Sequence, residues 1–225
     1  MSSNGRGHED HTRIVLRPIG SGLPLGFFSF GIGMLLLACQ ADAVIPVAEQ
    51  KSVGMTLIAF VAPLELLATI FAFLARDTLG ATTLGLFAAS WLTFGWSELA
   101  SPPGSTSVTL GIYMFGFSAA IVLLAGLSAL GKPFFTVLLL FSVVRQLLSG
   151  IYEAGGSHRL YTVSGWIAFA LSAVAMYGGL ALGLEDARQK EVLPLFRRGG
   201  ADEAFQGYEA QLARLEAEPG VRQQL

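Results

Sequence analysis

Apolar residues gather into six long runs separated by short polar breaks, at roughly 23–41, 54–75, 78–97, 107–130, 133–152 and 161–184. Each run is close to the ~20 residues that an α-helix needs to cross the hydrocarbon core of a bilayer. The breaks are built from residues that end helices and turn the chain. Asp42 to Lys51 is a polar loop, Arg76-Asp77 a very tight turn, and Ser101-Pro102-Pro103-Gly104-Ser105 a loop. Gly131-Lys132-Pro133 is another tight turn, with Pro133 suited to the first turn of the helix that follows. Glu153 to Arg159 holds Gly155-Gly156 and His158. The pattern predicts an all-α membrane protein: a polar tail over 1–17, a six-span domain over 18–184 and a second tail over 185–225.

Composition strengthens this reading. Hydrophobic residues make up 53% of the chain and charged residues 13%, with a mean hydropathy of +0.60; soluble domains carry about 25% charge. The placement of charge then orients the spans. With the N-terminus inside, Arg6, Arg13, Arg17, Arg76, Lys132, Arg188, Lys190, Arg197, Arg198, Arg214 and Arg222 fall on the cytoplasmic side, and Lys51 and Arg159 outside. Eleven against two predicts cytoplasmic N- and C-termini in a plasma or inner membrane. No cleavable signal peptide is expected, because the first apolar run is longer than a signal core and lacks a clear small-residue cleavage site.

Six spans divide into three plus three, and an odd number per half inverts the second half relative to the first, as in many transporters. Phe27-Phe28-Ser29-Phe30-Gly31 and Met114-Phe115-Gly116-Phe117-Ser118 give a faint internal echo. Many of the 27 glycines lie within the runs, where small residues let membrane helices approach closely. Beyond the last span, Phe205, Tyr208, Leu212 and Leu215 recur at helical spacing, which predicts a short amphipathic cytoplasmic helix. The single cysteine, Cys39, excludes an internal disulfide or a cysteine-based metal site and reads as a small packed hydrophobe. No Walker-type loop, no serine–histidine–acid set within the spans and no nucleic-acid-binding patch is present. The chain is therefore expected to be no enzyme and to need no cofactor or metal; His8, Glu9, Asp10 and His11 read as a solvated tail.

Two charges stand inside the runs. Glu65 lies near the middle of the second and Arg145 past the middle of the fifth. Each costs about 2.5–3.5 kcal/mol at a bilayer centre, so neither should face lipid. Two readings stay open: a structural Glu65–Arg145 ion pair, or an Arg145 whose planar fork attracts a carboxylate. Arg145 and Leu140 are five residues apart and therefore point about 140° away from each other. Both cannot face one narrow pore, so Arg145 is expected at the pore wall or at a protomer contact. Pro63 predicts a kink beside Glu65. Ser21, at the start of the first span, is a candidate anion site through the free N–H groups of a helix terminus.

Several motifs carry a resemblance. Pro24-Leu25-Gly26-Phe27-Phe28-Ser29-Phe30-Gly31, Thr78-Leu79-Gly80-Ala81-Thr82 with Trp91-Leu92-Thr93, Leu110-Gly111-Ile112-Tyr113, and Gly165-Trp166-Ile167 with Tyr177 and Val192-Leu193-Pro194 occur in order. Over residues 18 to 196 the chain resembles the acetate uptake transporter family, which includes bacterial succinate–acetate permeases. The resemblance implies a homo-hexamer in the lipid bilayer whose six-helix protomers each hold a pore for small monocarboxylates, with succinate in some members. It implies a constriction at Phe30, Phe87 and Leu140, where Phe87 replaces a tyrosine. The family's Asn-Pro-Ala opening is replaced by Ser21-Gly22-Leu23, its second-span glutamine by Glu65, and an apolar position of the fifth span by Arg145.

An apolar neck gates by dewetting. A short carboxylic acid, with a reference pKa near that of Glu at about 4.3, is mostly anionic at neutral pH. A proton or a fixed positive charge lowers the cost of its crossing. Proton-coupled uptake follows as an expectation, with Glu65 as the proton site. The alternatives are the same scaffold carrying another small solute, and a membrane subunit that transports nothing and binds a partner through its C-terminal tail.

Overall fold

The structure is a computed structural model that describes residues 20–188 and 190–198. The expected amphipathic helix over 201–218 and the His8–His11 cluster lie outside the described residues. Among the described residues the fold is wholly helical: α1 (Leu23–Ala41), α2 (Gln50–Thr56), α3 (Ala62–Leu74), α4 (Thr78–Ala100), α5 (Val108–Ser128), α6 (Pro133–Glu153) and α7 (His158–Arg188). A 3₁₀ turn at Val47–Glu49, α2, a wide π turn at Leu57–Val61 and α3 run on as one rod, Val47–Leu74. The chain therefore forms six rods. Five are long and apolar enough to cross a membrane. The sixth, α4, has 23 residues and is more polar, because Thr82, Thr83, Ser90, Thr93, Ser97 and Glu98 interrupt it.

Local chemistry sets these boundaries. Asp77 caps α4, its side chain accepting from the Gly80 N–H at 3.0 Å, and Ser107 caps α5 by accepting from the Leu110 N–H at 3.3 Å. Pro133 lies in the first turn of α6. At the end of α6 the chain turns through Gly155, whose φ of +98° lies in the left-handed region that glycine adopts without a Cβ clash. The second rod begins about seven residues earlier than hydropathy predicts, because Gln50 and Lys51 are helical. Pro63 does not break this rod. Its ring would meet the carbonyl four residues back, and the π turn at Leu57–Val61 loosens the ladder there.

The rods close into a ring. The second rod lies against α4 and α1, α1 runs along α7, α7 along α6, and α6 along α5; α5 returns to α4 over a short stretch. The outside of this ring is apolar, with Leu35, Leu66, Ile70, Leu123, Leu140, Phe141, Val144, Trp166 and Leu180 exposed. The inside mixes apolar residues with Ser29, Thr83, Ser90, Ser118, Ser142, Glu65, Arg145 and Gln146, all buried. An apolar exterior around a partly polar interior fits lipid as the solvent. This is a multi-pass membrane protein.

The two ends of the bundle differ. At the end that holds Gly20 and Arg198, Lys132 Nζ reaches both Asp77 carboxylate oxygens at 2.7 Å. There Arg197 grips buried Glu185 at 2.7 Å, and the Arg198 N–H donates to the Gly131 carbonyl at 3.0 Å. The Tyr177 hydroxyl donates to the Pro194 carbonyl at 3.1 Å, so two elements of the last sequence motif meet in space. At the opposite end the loops 42–49, 101–107 and 154–157 leave an opening.

Candidate functional site

Spacing on three helices aims aromatic side chains at the centre of the ring. Phe87, Trp91 and Phe94 follow at i, i+4 and i+7 on α4; Tyr113 and Phe117 follow at i and i+4 on α5; Phe30 enters from α1. Together they close a loop of contacts: Phe30 to Phe87, Phe87 to Phe117, Phe117 to Tyr113, Tyr113 to Phe94, Phe94 to Trp91, and Trp91 back to Phe30. The centroids stand 5.0 Å apart at the tightest contact, Phe30–Phe87, and 6.4 Å at the loosest, Trp91–Phe94. Five of these six contacts are T-shaped, the arrangement that sets a ring's positive edge against its neighbour's negative face. Gly33 makes room for the largest member: a Cβ there would stand 2.9 Å from the Trp91 ring.

Above this neck, towards the open end, lies a cavity of about 190 Å³. Ser97 and Glu98 line it one turn beyond Phe94, and Leu110 lines it one turn before Tyr113. Its polar wall is ordered. Gln40 Nε2 donates to Glu98 Oε2 at 2.9 Å, and Gln50 Nε2 donates to the Glu98 carbonyl at 3.1 Å. The Gly104 N–H donates to Gln50 Oε1 at 2.9 Å, and the Ser107 N–H to Glu153 Oε2 at 2.8 Å. Tyr152 and Tyr161 stack with centroids 4.6 Å apart, and His158 sets its edge against both.

A polar stripe descends from this cavity along α6. Ser149 Oγ donates to Ser164 Oγ at 2.9 Å, which in turn donates to the Tyr161 carbonyl at 2.7 Å. One turn further in, Arg145 Nη1 donates to Gln146 Oε1 at 2.8 Å. Ser142 follows, turned back onto its own helix through the Leu138 carbonyl at 2.9 Å. Ser142, Arg145, Gln146 and Ser149 are all buried.

The residues singled out from sequence fare differently. Phe30 and Phe87 meet at the neck. Leu140 does not join them: it is 47% exposed on the outer face of α6, while its neighbour Leu139 is fully buried in the core. The 140° offset from Arg145 explains this correction, because the buried guanidinium takes the inward face and turns Leu140 outward. Glu65 and Arg145 are both buried, yet they form no ion pair, and α3 and α6 are not adjacent in the ring. The Glu65 carboxyl instead lies by the Trp91 indole N–H, and neither oxygen closes a hydrogen bond. Ser21 is exposed at the closed end, with its hydroxyl accepting from the Leu23 N–H at 3.3 Å. Cys39 is a half-buried free thiol.

The motifs held Trp91 and Tyr113, and the internal echo Phe117, yet none of these, nor Phe94, was placed at the constriction, although their i, i+4, i+7 spacing was available. Sequence reasoning also passed over Gln146, hidden in a leucine-rich run, and over the cavity residues Gln40, Gln50, Glu98 and Glu153, which come from four separate segments. Among the described residues no three His, Cys, Asp or Glu side chains come together as a metal site would require.

The comparisons with known proteins fit this architecture. A family model described as the GPR1/FUN34/yaaH family matches residues 5–190. No curated protein matches the chain. Among solved structures, the bacterial acetate channel SatP aligns with a TM-score of 0.71 at 19% identity, covering 79% of this chain and 99% of that one. At that identity the likeness is one of fold.

Proposed function

The chain belongs to the GPR1/FUN34/yaaH family of acetate transporters, and from that premise we propose that it is a channel or secondary transporter for small monocarboxylates such as acetate. The observation that carries the proposal is the closed aromatic neck beneath a polar cavity in a ring of six helices. The cavity gathers a solute from the open side. The neck, all aromatic, passes a solute only as its water is shed, which favours a small molecule whose charge is neutralised. SatP, a structure of the same fold, is an acetate channel.

Phe30 and Phe87 form the narrow point. Ser21, exposed at the cytoplasmic end of α1, meets the solute only on exit. Proton coupling is part of the proposal, with Glu65 as the proton site, since its carboxyl is buried beside the neck residue Trp91 and makes no hydrogen bond. The termini lie on the cytoplasmic side. Arg76, Lys132, Arg188, Lys190, Arg197 and Arg198 share the closed end, and Lys51 and Arg159 the open one. A 3+3 inverted repeat, assembly as a homo-hexamer and acceptance of succinate rest on the family resemblance.

The test is uptake of labelled acetate into proteoliposomes, read against protein-free vesicles, with and without an inwardly directed proton gradient. Saturable uptake above the protein-free rate, increased by external acidification, is expected. The sign follows from the acid itself: lowering pH towards its reference value near 4.3 raises the neutral fraction that the neck admits. Uptake no faster than in protein-free vesicles, from protein that is monodisperse before and after reconstitution, contradicts the proposal.

A further inference from the structure

Arg145 poses a problem of charge. The residue is 4% exposed in the middle of a helix bundle, about 18 Å along α6 from Pro133 at the rise of 1.5 Å per residue. A buried cation without a counter-ion is among the most costly groups a fold can hold. Glu65, also buried in the bundle, does not supply the counter-ion, because its carboxyl lies by Trp91 and α3 is not adjacent to α6. Of the other acids near this region, Glu98 is held by Gln40 and Glu153 by the Ser107 N–H, both at the cavity rim. What Arg145 does have is a neutral partner, the Gln146 carbonyl oxygen.

That bond has a geometric consequence. With Oε1 of Gln146 turned to the guanidinium, the amide nitrogen must point the other way. Both Gln146 Nε2 and Arg145 Nε are buried and lack acceptors. The charged one, Arg145 Nε, is a donor that an anionic oxygen would complete, with the neighbouring Nη1 already fixed by Gln146. Access is at hand. Tyr161 of α7 lines the cavity, and one turn from Arg145 the Ser149–Ser164 hydrogen bond joins α6 to α7 and carries the polar stripe towards it.

We infer that the Arg145 guanidinium, through its unpartnered Nε, forms an internal binding site for a monovalent carboxylate, reached from the open cavity past Tyr161 and the Ser149–Ser164 pair. The site rests on the carboxylate-transport reading and adds to it a fixed positive charge that draws the anion below the cavity. Gln146 orients the fork through its carbonyl. The site is distinct from the aromatic neck, which lies on α1, α4 and α5.

The experiment is equilibrium binding of labelled acetate to purified protein in detergent, for wild type, Arg145→Gln, Arg145→Lys and Gln146→Glu, with thermal melting of each. Wild type is expected to bind saturably. Arg145→Gln is expected to weaken binding about 10- to 100-fold, the loss of a charge-assisted hydrogen bond, and Arg145→Lys to fall between them. Gln146→Glu places a carboxylate beside the guanidinium, so it should abolish acetate binding while raising the melting temperature. A merely structural Arg145–Gln146 contact would be strengthened by that change and leave acetate binding intact. Wild-type affinity in Arg145→Gln or in Gln146→Glu overturns the site, as does the absence of saturable binding to wild type. The proteoliposome assay separates the two claims: uptake with no binding at Arg145 removes the site and leaves the transport reading standing.

Discussion

Two regions at similar depth in the bundle are built on opposite principles. The neck on α1, α4 and α5 is an apolar loop in which each of six aromatic side chains meets two others. The stripe on α6 is a polar path whose central cation and neighbouring amide keep donors that nothing accepts. The first is complete as it stands and stabilises the fold. The second leaves buried donors without acceptors, which costs stability. On the proposed reading, excluding water and attracting a carboxylate are separate tasks carried by different helices.

If that contrast holds, mutations in the two regions should move stability in opposite directions. The largest effect is expected from Phe87→Ala. It removes the ring that joins Phe30 to Phe117 and should destabilise by about 3–5 kcal/mol, read as a lower melting temperature. Next, and opposite in sign, Arg145→Met replaces an uncompensated buried charge by an apolar chain of similar reach. It should stabilise by on the order of 1–4 kcal/mol while slowing acetate uptake. A melting temperature that falls in Arg145→Met would remove the contrast. Ser149→Ala sharpens it within the stripe: Ser164 keeps its bond to the Tyr161 carbonyl, so the loss should stay near 0.5–1.5 kcal/mol. Lys132→Ala lies outside both regions. Its pairing with Asp77 is partly solvated, and the change should cost no more than about 1 kcal/mol and leave uptake at the wild-type rate.

Much of the fold was legible because membrane solvation writes long apolar runs into a sequence. The boundaries of α1, α5 and α6 follow from those runs and from Ser107 and Pro133. The second rod was read too short, since its first turns carry Gln50 and Lys51, and hydropathy cannot see a helix that extends beyond the lipid. The neck was half legible. Phe30 and Phe87 came from a family resemblance, while Trp91, Phe94, Tyr113 and Phe117 needed helical phase across two segments. Leu140 failed for the same reason in reverse: motif register locates a residue along a helix, and a slip of one residue turns it about 100° around the axis. The separation of Glu65 from Arg145 was not legible at all, because pairing of two intramembrane charges depends on which helices are neighbours, and the ring order sets α3 and α6 apart.

The most direct test of the neck as the gate is side-by-side flux of acetate and of mannitol, a larger neutral solute, through wild type and Phe87→Ala in proteoliposomes. Wild type should pass acetate and exclude mannitol, and the alanine variant, with its ring opened, should pass both. A Phe87→Ala protein that carries acetate at the wild-type rate and still excludes mannitol would contradict the account.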